Sequence, residues 1–244
     1  MEYDVFVSYS RRDSDIVEKV INELTRHNIS VWIDKDGVES GDAFKSVIVK
    51  AIKNANVFLF FSSKSSNESP WTVKEVMGDN PSHFKGEMLP VENVSWFDCQ
   101  DFVLKLSQMS GKHFRLPTEA EWEFAARGGN KSRHTKYSGS DNLDEVGWYN
   151  ENGEGRTHLP GEKKPNELGL YDMSGNVWEW VQDWKGDYSE EHQTDPKGLP
   201  IGDERICRGG GWNRERDRAR VSYRGDDLPD LRYCTLGLRV VMEN

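Results

Sequence analysis

Three sets of side chains in this chain could do chemistry. The first is a pair of carboxylates, Asp172 and Glu179, either side of a turn that contains Gly175. A hard cation needs several oxygen ligands, and a tight glycine-containing turn can aim backbone carbonyls beside two carboxylates. The same carboxylates could instead cap backbone amides of the turn, and the residues alone leave both readings open. The second set is Cys99, Cys207 and Cys234, too few and too scattered for a disulfide framework. Copper(I) wants soft thiolates held close together, so Cys207 and Cys234 would have to meet in space; isolated cysteines are more often buried, inert thiols. The third is the histidines at positions 27, 83, 113, 134, 158 and 192, of which no two are four residues apart to share one helix face.

Bulk properties limit what these residues can serve. At 244 residues the chain is long enough for one large domain or two small ones. Its 22 glycines and nine tryptophans suit a loop-rich fold held by aromatic anchors, not a helical bundle. A net charge of −10 argues against general nucleic-acid binding. The longest clean apolar run, Val57-Phe-Leu-Phe-Phe61, is far too short to span a bilayer. The amino terminus, Met1-Glu-Tyr-Asp, lacks the basic and apolar regions of a signal peptide, so a cytoplasmic location with reduced thiols is expected.

The chain has two halves with different patterning. Residues 1–76 alternate strand and helix. Tyr3-Asp-Val-Phe-Val-Ser-Tyr9 and Ile29-Ser-Val-Trp-Ile33 are β-rich, the strand expected at residues 56–62 is apolar throughout its core from Val57 to Phe61, and amphipathic stripes starting at Ile16 and Phe44 lie between them. That alternation predicts an α/β, doubly wound parallel sheet. Tyr3-Asp-Val-Phe-Val-Ser-Tyr-Ser10, the loop of residues 34–42 and Ser69-Pro-Trp-Thr-Val-Lys-Glu-Val76 together resemble a TIR domain, a flavodoxin-like fold. The resemblance covers about half of that family's domain, since no counterpart of its fourth and fifth strands follows Val76. It implies association with other TIR domains and, in members that cleave NAD, a catalytic glutamate at the position of Glu75.

Residues 77–244 read differently. Pro90-Val-Glu-Asn-Val-Ser-Trp96 leads into a helix with Phe97, Phe102, Val103 and Leu106 at core spacing. Thr118 and Glu121 form a capping box ahead of Trp122, Phe124 and Ala125. With Gly169-Leu-Tyr-Asp-Met-Ser-Gly-Asn-Val-Trp-Glu-Trp180, Arg208-Gly-Gly-Gly-Trp212 and Gly237-Leu-Arg-Val-Val241, this half resembles the formylglycine-generating enzyme family, an irregular α+β variant of the C-type lectin fold. The resemblance implies a structural calcium held by the side chains of Asp172 and Glu179 and the carbonyls of Met173, Gly175 and Val177. It also implies where the family's copper-binding cysteine pair would lie, just after the glycine box. Here that stretch, Gly209-Gly-Gly-Trp-Asn-Arg-Glu-Arg-Asp-Arg-Ala-Arg-Val-Ser-Tyr-Arg224, contains no cysteine, so formylglycine formation is the weakest expectation.

The segment 205–241 carries nine arginines and no lysine, with mixed polar residues between its fixed-looking boxes. In this it is similar to the variable region of proteins diversified by retroelements, in which adenine-directed mutagenesis of Asn codons cannot reach Lys, Glu, Gln, Met or Trp. Residues 225–235 contain none of those five types. An ordinary surface loop would also fit. Under the resemblance the ligand-contacting residues are Asn213, Arg214, Asp217, Tyr223, Asp226, Asp227, Leu228, Asp230, Leu231, Tyr233 and Thr235. Tyrosine offers rigid amphipathic contact area and Asp, Arg, Asn and Thr adaptable polar contacts, as in antibody loops. The arginines of the frame are expected to pair with nearby aspartates.

The expectation is a TIR-like segment (1–76) joined to a lectin-like domain (77–244) that acts as a non-catalytic recognition protein, its C-terminal face binding a protein ligand. The alternative is an NAD-cleaving enzyme using Glu75, with the lectin-like half as sensor.

Overall fold

Three short apolar runs form the first sheet. In the computed structural model, which describes residues 3–8, 26, 31–33, 55–60, 73–86, 88–189 and 191–243, β1 (Tyr3–Ser8), β2 (Val31–Ile33) and β3 (Ala55–Phe60) lie parallel in the order β2-β1-β3. Val5 is in register with Val31 on one side and Val57 on the other. Parallel neighbours need crossover connections, which is what the alternating pattern implies. Apart from Arg26, the helical stripes expected between the strands lie outside the described residues, as do the loop at 34–42 and residues 61–72.

Helix α1 (Val73–Met77) contains the expected boundary between residues 76 and 77. Its Val73 packs into one apolar cluster with Phe102 and Val103 of α2 (Trp96–Ser110). Ser95 and Asp98 make a reciprocal capping box at the start of α2, and Gly111 ends it at φ 72°. The buried stripe of α2 is Trp96, Cys99, Phe102 and Val103. Phe97, expected in the core, is instead 52% exposed. One residue past Trp96 on a helix is a turn of about 100°, enough to carry it off the stripe that Trp96 and Cys99 set. Helix α3 (Glu119–Ala126) begins with the expected Thr118–Glu121 capping box and buries Trp122 and Ala126. Phe124 points outward. Helix α4 (Leu143–Val146) is a single turn capped by Asn142.

The irregular half is held by two further sheets. Strand β4 (His113–Arg115) pairs antiparallel with β9 (Val241–Glu243), tying the end of the chain to the region after α2. Strands β5 (Trp178–Trp184), β6 (Arg205–Arg208), β7 (Gly225–Asp227) and β8 (Leu236–Leu238) are ordered β7-β6-β5-β8, with only β5 and β8 parallel. Tryptophan dominates the core, and three of its indole donors find acceptors there, while Trp148 Nε1 is enclosed without one. Trp96 Nε1 donates to Val181 O, Trp180 Nε1 to Val94 O and Trp122 Nε1 to Glu179 Oε2, all within 3.0 Å. Two glycines have no substitute in this packing. A Cβ on Gly175, at φ 89°, would lie 2.2 Å from Trp148 O, and one on Gly237 would lie 2.2 Å from Val91 O. No helix among the described residues is long and apolar enough to cross a membrane.

Candidate functional site

The turn before β5 brings Asp172 and Glu179 toward one cation, but that cation is an arginine. Arg239, just after β8, donates to Glu179 Oε1 at 2.8 Å and Oε2 at 2.9 Å, and Trp122 Nε1 adds a third bond at 2.7 Å. The strand register explains the meeting: Glu179 lies opposite Gly237, two residues before Arg239. Asp172, at φ 56°, accepts Gly161 N–H on Oδ2, while its Oδ1 is enclosed without a partner. Burial is the main reason its pKa rises to about 6. A calcium ion held as the resemblance implies would have to displace Arg239 from Glu179. Both oxygens of Glu179 are taken by Arg239, and Asp172 Oδ2 by Gly161 N–H.

The thiols are placed for packing. Cys99 and Cys207 are buried in the same apolar cluster, where burial pushes both thiols well above their ordinary range. Cys234 is partly buried, and all three cysteines are unpaired. In the stretch where the resemblance puts reactive cysteines, the protein presents Arg214, Glu215, Asp217 and Arg218 toward solvent and Ala219 toward the core. Glu75 lies in α1, and its side chain is outside the described residues.

The C-terminal loops divide into an outward set and an inward set. Asn213, Arg214, Leu228, Asp230 and Tyr233 are exposed, with Leu231 and Asp227 partly so. Burial and the neighbouring charge of Asp227 raise the pKa of Tyr233 and the charge of Arg214 opposes the shift, so these three side chains neighbour one another. Asp217 stands apart, paired with Arg220 and Lys136. Asp226 is tied to Lys185 at 2.7 Å. Two proposed contact residues turn inward. Tyr223 packs against Trp178 beneath the guanidinium of Arg218, and Thr235 is buried, its carbonyl accepting Trp178 N–H at 2.7 Å.

Backbone bonds hold this loop. Tyr233 O accepts Asn93 N–H and Pro229 O accepts Trp96 N–H, both at 2.9 Å, contacts indifferent to the side chains at those positions. One side-chain clamp adds to them, Arg232 on Asp98 at 2.7 and 2.8 Å. Of the nine arginines, six form ion pairs with carboxylates: 208, 216, 220, 224, 232 and 239. Arg208 is fully buried and pairs with both Glu119 and Glu123. Arg205 is sandwiched between Trp96 and Trp184, and burial lowers its pKa to about 10.

The sequence carries little signal for one further feature. Residues 185–199 hold no periodic pattern, yet they fold back so that Leu199 bridges to Trp184, and they wall a cavity against α3. The outward position of Phe124 is its only trace in the pattern of apolar residues.

Comparison with known proteins places these features in context. Residues 18–244 match the family model described as a sulfatase-modifying factor enzyme 1-like domain, so the match begins within the amino-terminal half. A "Chaperone protein LppX" from Paenibacillus barcinonensis is 34% identical over 268 residues, covering 89% of this chain and 92% of that one. A formylglycine-generating enzyme from Streptomyces coelicolor is 37% identical over 169 residues, covering 62% of this chain and 51% of that protein, so the chain spans about half of that enzyme's length. Among solved structures, Treponema denticola variable protein 1 superposes with a TM-score of 0.65 at 34% identity, over 68% of this chain and 78% of that one. The mixed α/β architecture matches these C-type lectin-like neighbours.

Proposed function

The chain belongs to the sulfatase-modifying factor enzyme 1-like family, and from that membership we propose that it is a non-catalytic recognition protein. Its ligand, a protein, binds the exposed C-terminal patch around Arg214, Leu228, Asp230 and Tyr233. The observation that carries this reading is the contrast within one segment. Cys207 is buried away from solvent and Cys234 partly so, while the outward loop residues ride on a backbone anchored through Asn93 and Trp96. A binding face can change its side chains on such an anchor without losing the fold, and that property suits a retroelement-diversified surface. Similarity to a variable protein and to a protein named as a chaperone adds support for binding over oxidation.

The test has two arms. With copper and oxygen supplied, the protein should leave a cysteine-containing peptide unoxidised; formylglycine product would overturn the reading. Replacement of Arg214 and Tyr233 by Ala should abolish capture of the ligand without loss of folding, and unchanged capture would remove the proposed face.

A second reading is favoured by one feature, the three parallel strands in the order β2-β1-β3. If this segment works as a TIR-like module, Glu75 is its catalytic carboxylate and NAD its substrate. NAD turnover by clustered protein, lost in Glu75→Gln, would support it; no turnover would reject it.

A further inference from the structure

A cavity of about 840 Å³ opens between α3 and the segment after β5, and none of the loop residues assigned to the recognition patch lines it. That volume is in the range of pockets that hold ligands. Five of its lining side chains are acidic and two are basic. Both basic groups are already committed: Arg127 pairs with Glu123 at 2.6 Å, and Arg224 grips Glu119 at 2.7 and 2.9 Å. Asp183, Asp187 and Glu191 are left with no ion pair among the described residues.

Asp183 is the informative one. It is only 4% exposed, its Oδ2 accepts Glu119 N–H at 2.7 Å, and no hydrogen bond reaches Oδ1 among the described residues. Arg224 and Arg205 act on Asp183 only from a distance, without a direct ion pair. A buried carboxylate so placed is costly, and a site that supplies a directly paired cation from outside recovers part of that cost on binding. Gly198 lies over the carboxylate, and a Cβ there would come within 2.8 Å of Oδ1. Around these charges stand apolar surfaces that the fold leaves uncovered. Phe124, Tyr188 and Leu199 line the cavity and are all exposed, Tyr188 at 65%. Tyr188 already receives one guanidinium, that of Arg224, at 4.1 Å from its ring.

Negative charge beside aromatic and aliphatic walls is complementary to a side chain with a cationic tip on an apolar stem. The geometry points to a second binding site, in which a basic peptide segment lays a lysine or arginine stem against Phe124, Tyr188 and Leu199 and sets its charge on Asp183, with Asp187 and Glu191 at the rim. The cavity is larger than one such side chain needs, and its apolar rim extends beyond the carboxylates, which favours a peptide over a small free amine. The overall charge of −10 would draw such a segment in.

The probe is acetyl-Arg-Leu-Arg-amide, titrated into the full chain with calorimetry and with the fluorescence of Trp184 at the cavity wall. Saturable binding is expected, weakened about tenfold or more in Asp183→Asn. The double variant Asp187→Asn, Glu191→Gln changes exposed residues only, so it tests the site even if Asp183→Asn fails to fold; it should weaken binding several-fold. Acetyl-Glu-Leu-Glu-amide should not bind. The proposal falls if the basic peptide shows no saturable binding, if the acidic peptide binds equally, or if the double variant binds like the wild type. Spermidine binding as tightly as the peptide would also overturn it, by reducing the site to one for small amines.

Discussion

Arg239 and Glu179 meet as a two-point ion pair at 2.8 and 2.9 Å, where the closing Gly-Leu-Arg segment lies beside the Trp-Glu-Trp of β5. The pair locks the last part of the chain onto the central strand, with Trp122 completing the shell of Glu179. Arg239→Leu would leave a buried carboxylate facing only an indole N–H, so a loss of about 3–5 kcal/mol in urea unfolding is expected. The double variant Arg239→Leu, Glu179→Gln should recover much of that loss. A single-variant cost near zero would show that the pair does not form in solution.

Asp172 gives a pH signature with a definite sign. Its folded pKa, about 6, stands above the ordinary aspartate value of 3.8, so the folded protein holds this proton more tightly than the unfolded chain. Stability therefore falls as pH rises from about 4 to 6, and the deficit persists above that range. Asp172→Asn keeps a carbonyl to accept Gly161 N–H and tolerates the positive φ. It should stabilise the protein at pH 7 by about 1–2 kcal/mol, with the gain vanishing below pH 4. Destabilisation by this variant that appears only with calcium present would instead assign Asp172 to a metal.

Chelation makes the complementary prediction. With Arg239 occupying Glu179, excess EDTA should leave the melting temperature unchanged, and added calcium should not raise it. A shift of about 5 °C or more on adding calcium would mean that the turn rearranges to bind it.

Much of the carboxy-terminal half is legible in its sequence because its motifs have local physical causes. Thr118 and Glu121 announce a helix start, Gly175 and Gly237 stand where an added Cβ would meet a carbonyl oxygen at 2.2 Å, and Trp96 and Trp180 appear where a buried donor finds an acceptor. What escaped depends on contacts distant in sequence. The partner of Glu179 is sixty residues away, so two carboxylates about a turn resemble a metal site until Arg239 is placed. Phe97 fits an apolar stripe equally well until Trp96 and Cys99 fix the phase of α2. Tyr223 and Thr235 sit in short irregular segments, where alternation is too brief to tell inward from outward. The cavity beside α3 is built by a segment with no periodicity at all.

That inward and outward division predicts tolerance. Tyr233→Ala and Asp230→Ala, on exposed side chains, should alter stability by no more than about 0.5 kcal/mol. Tyr223→Ala removes a ring packed on Trp178 and should cost about 2–4 kcal/mol. Equal effects in chemical denaturation would mean that the loop is not organised as described.

Gly175→Ala tests the turn itself. A Cβ there meets Trp148 O at 2.2 Å and forces an L-residue to φ 89°, so a loss of more than about 2 kcal/mol is expected. A neutral effect would refute the close approach.

The most direct measurement of the central claim is sequencing of the codons for residues 205–241 across many cells of the source population. A recognition protein with a diversified face predicts substitutions concentrated at the outward positions, Asn213, Arg214, Leu228, Asp230, Leu231 and Tyr233, with Arg208–Trp212 and Gly237–Arg239 spared. An invariant segment, or substitutions spread evenly over frame and loop, would contradict it.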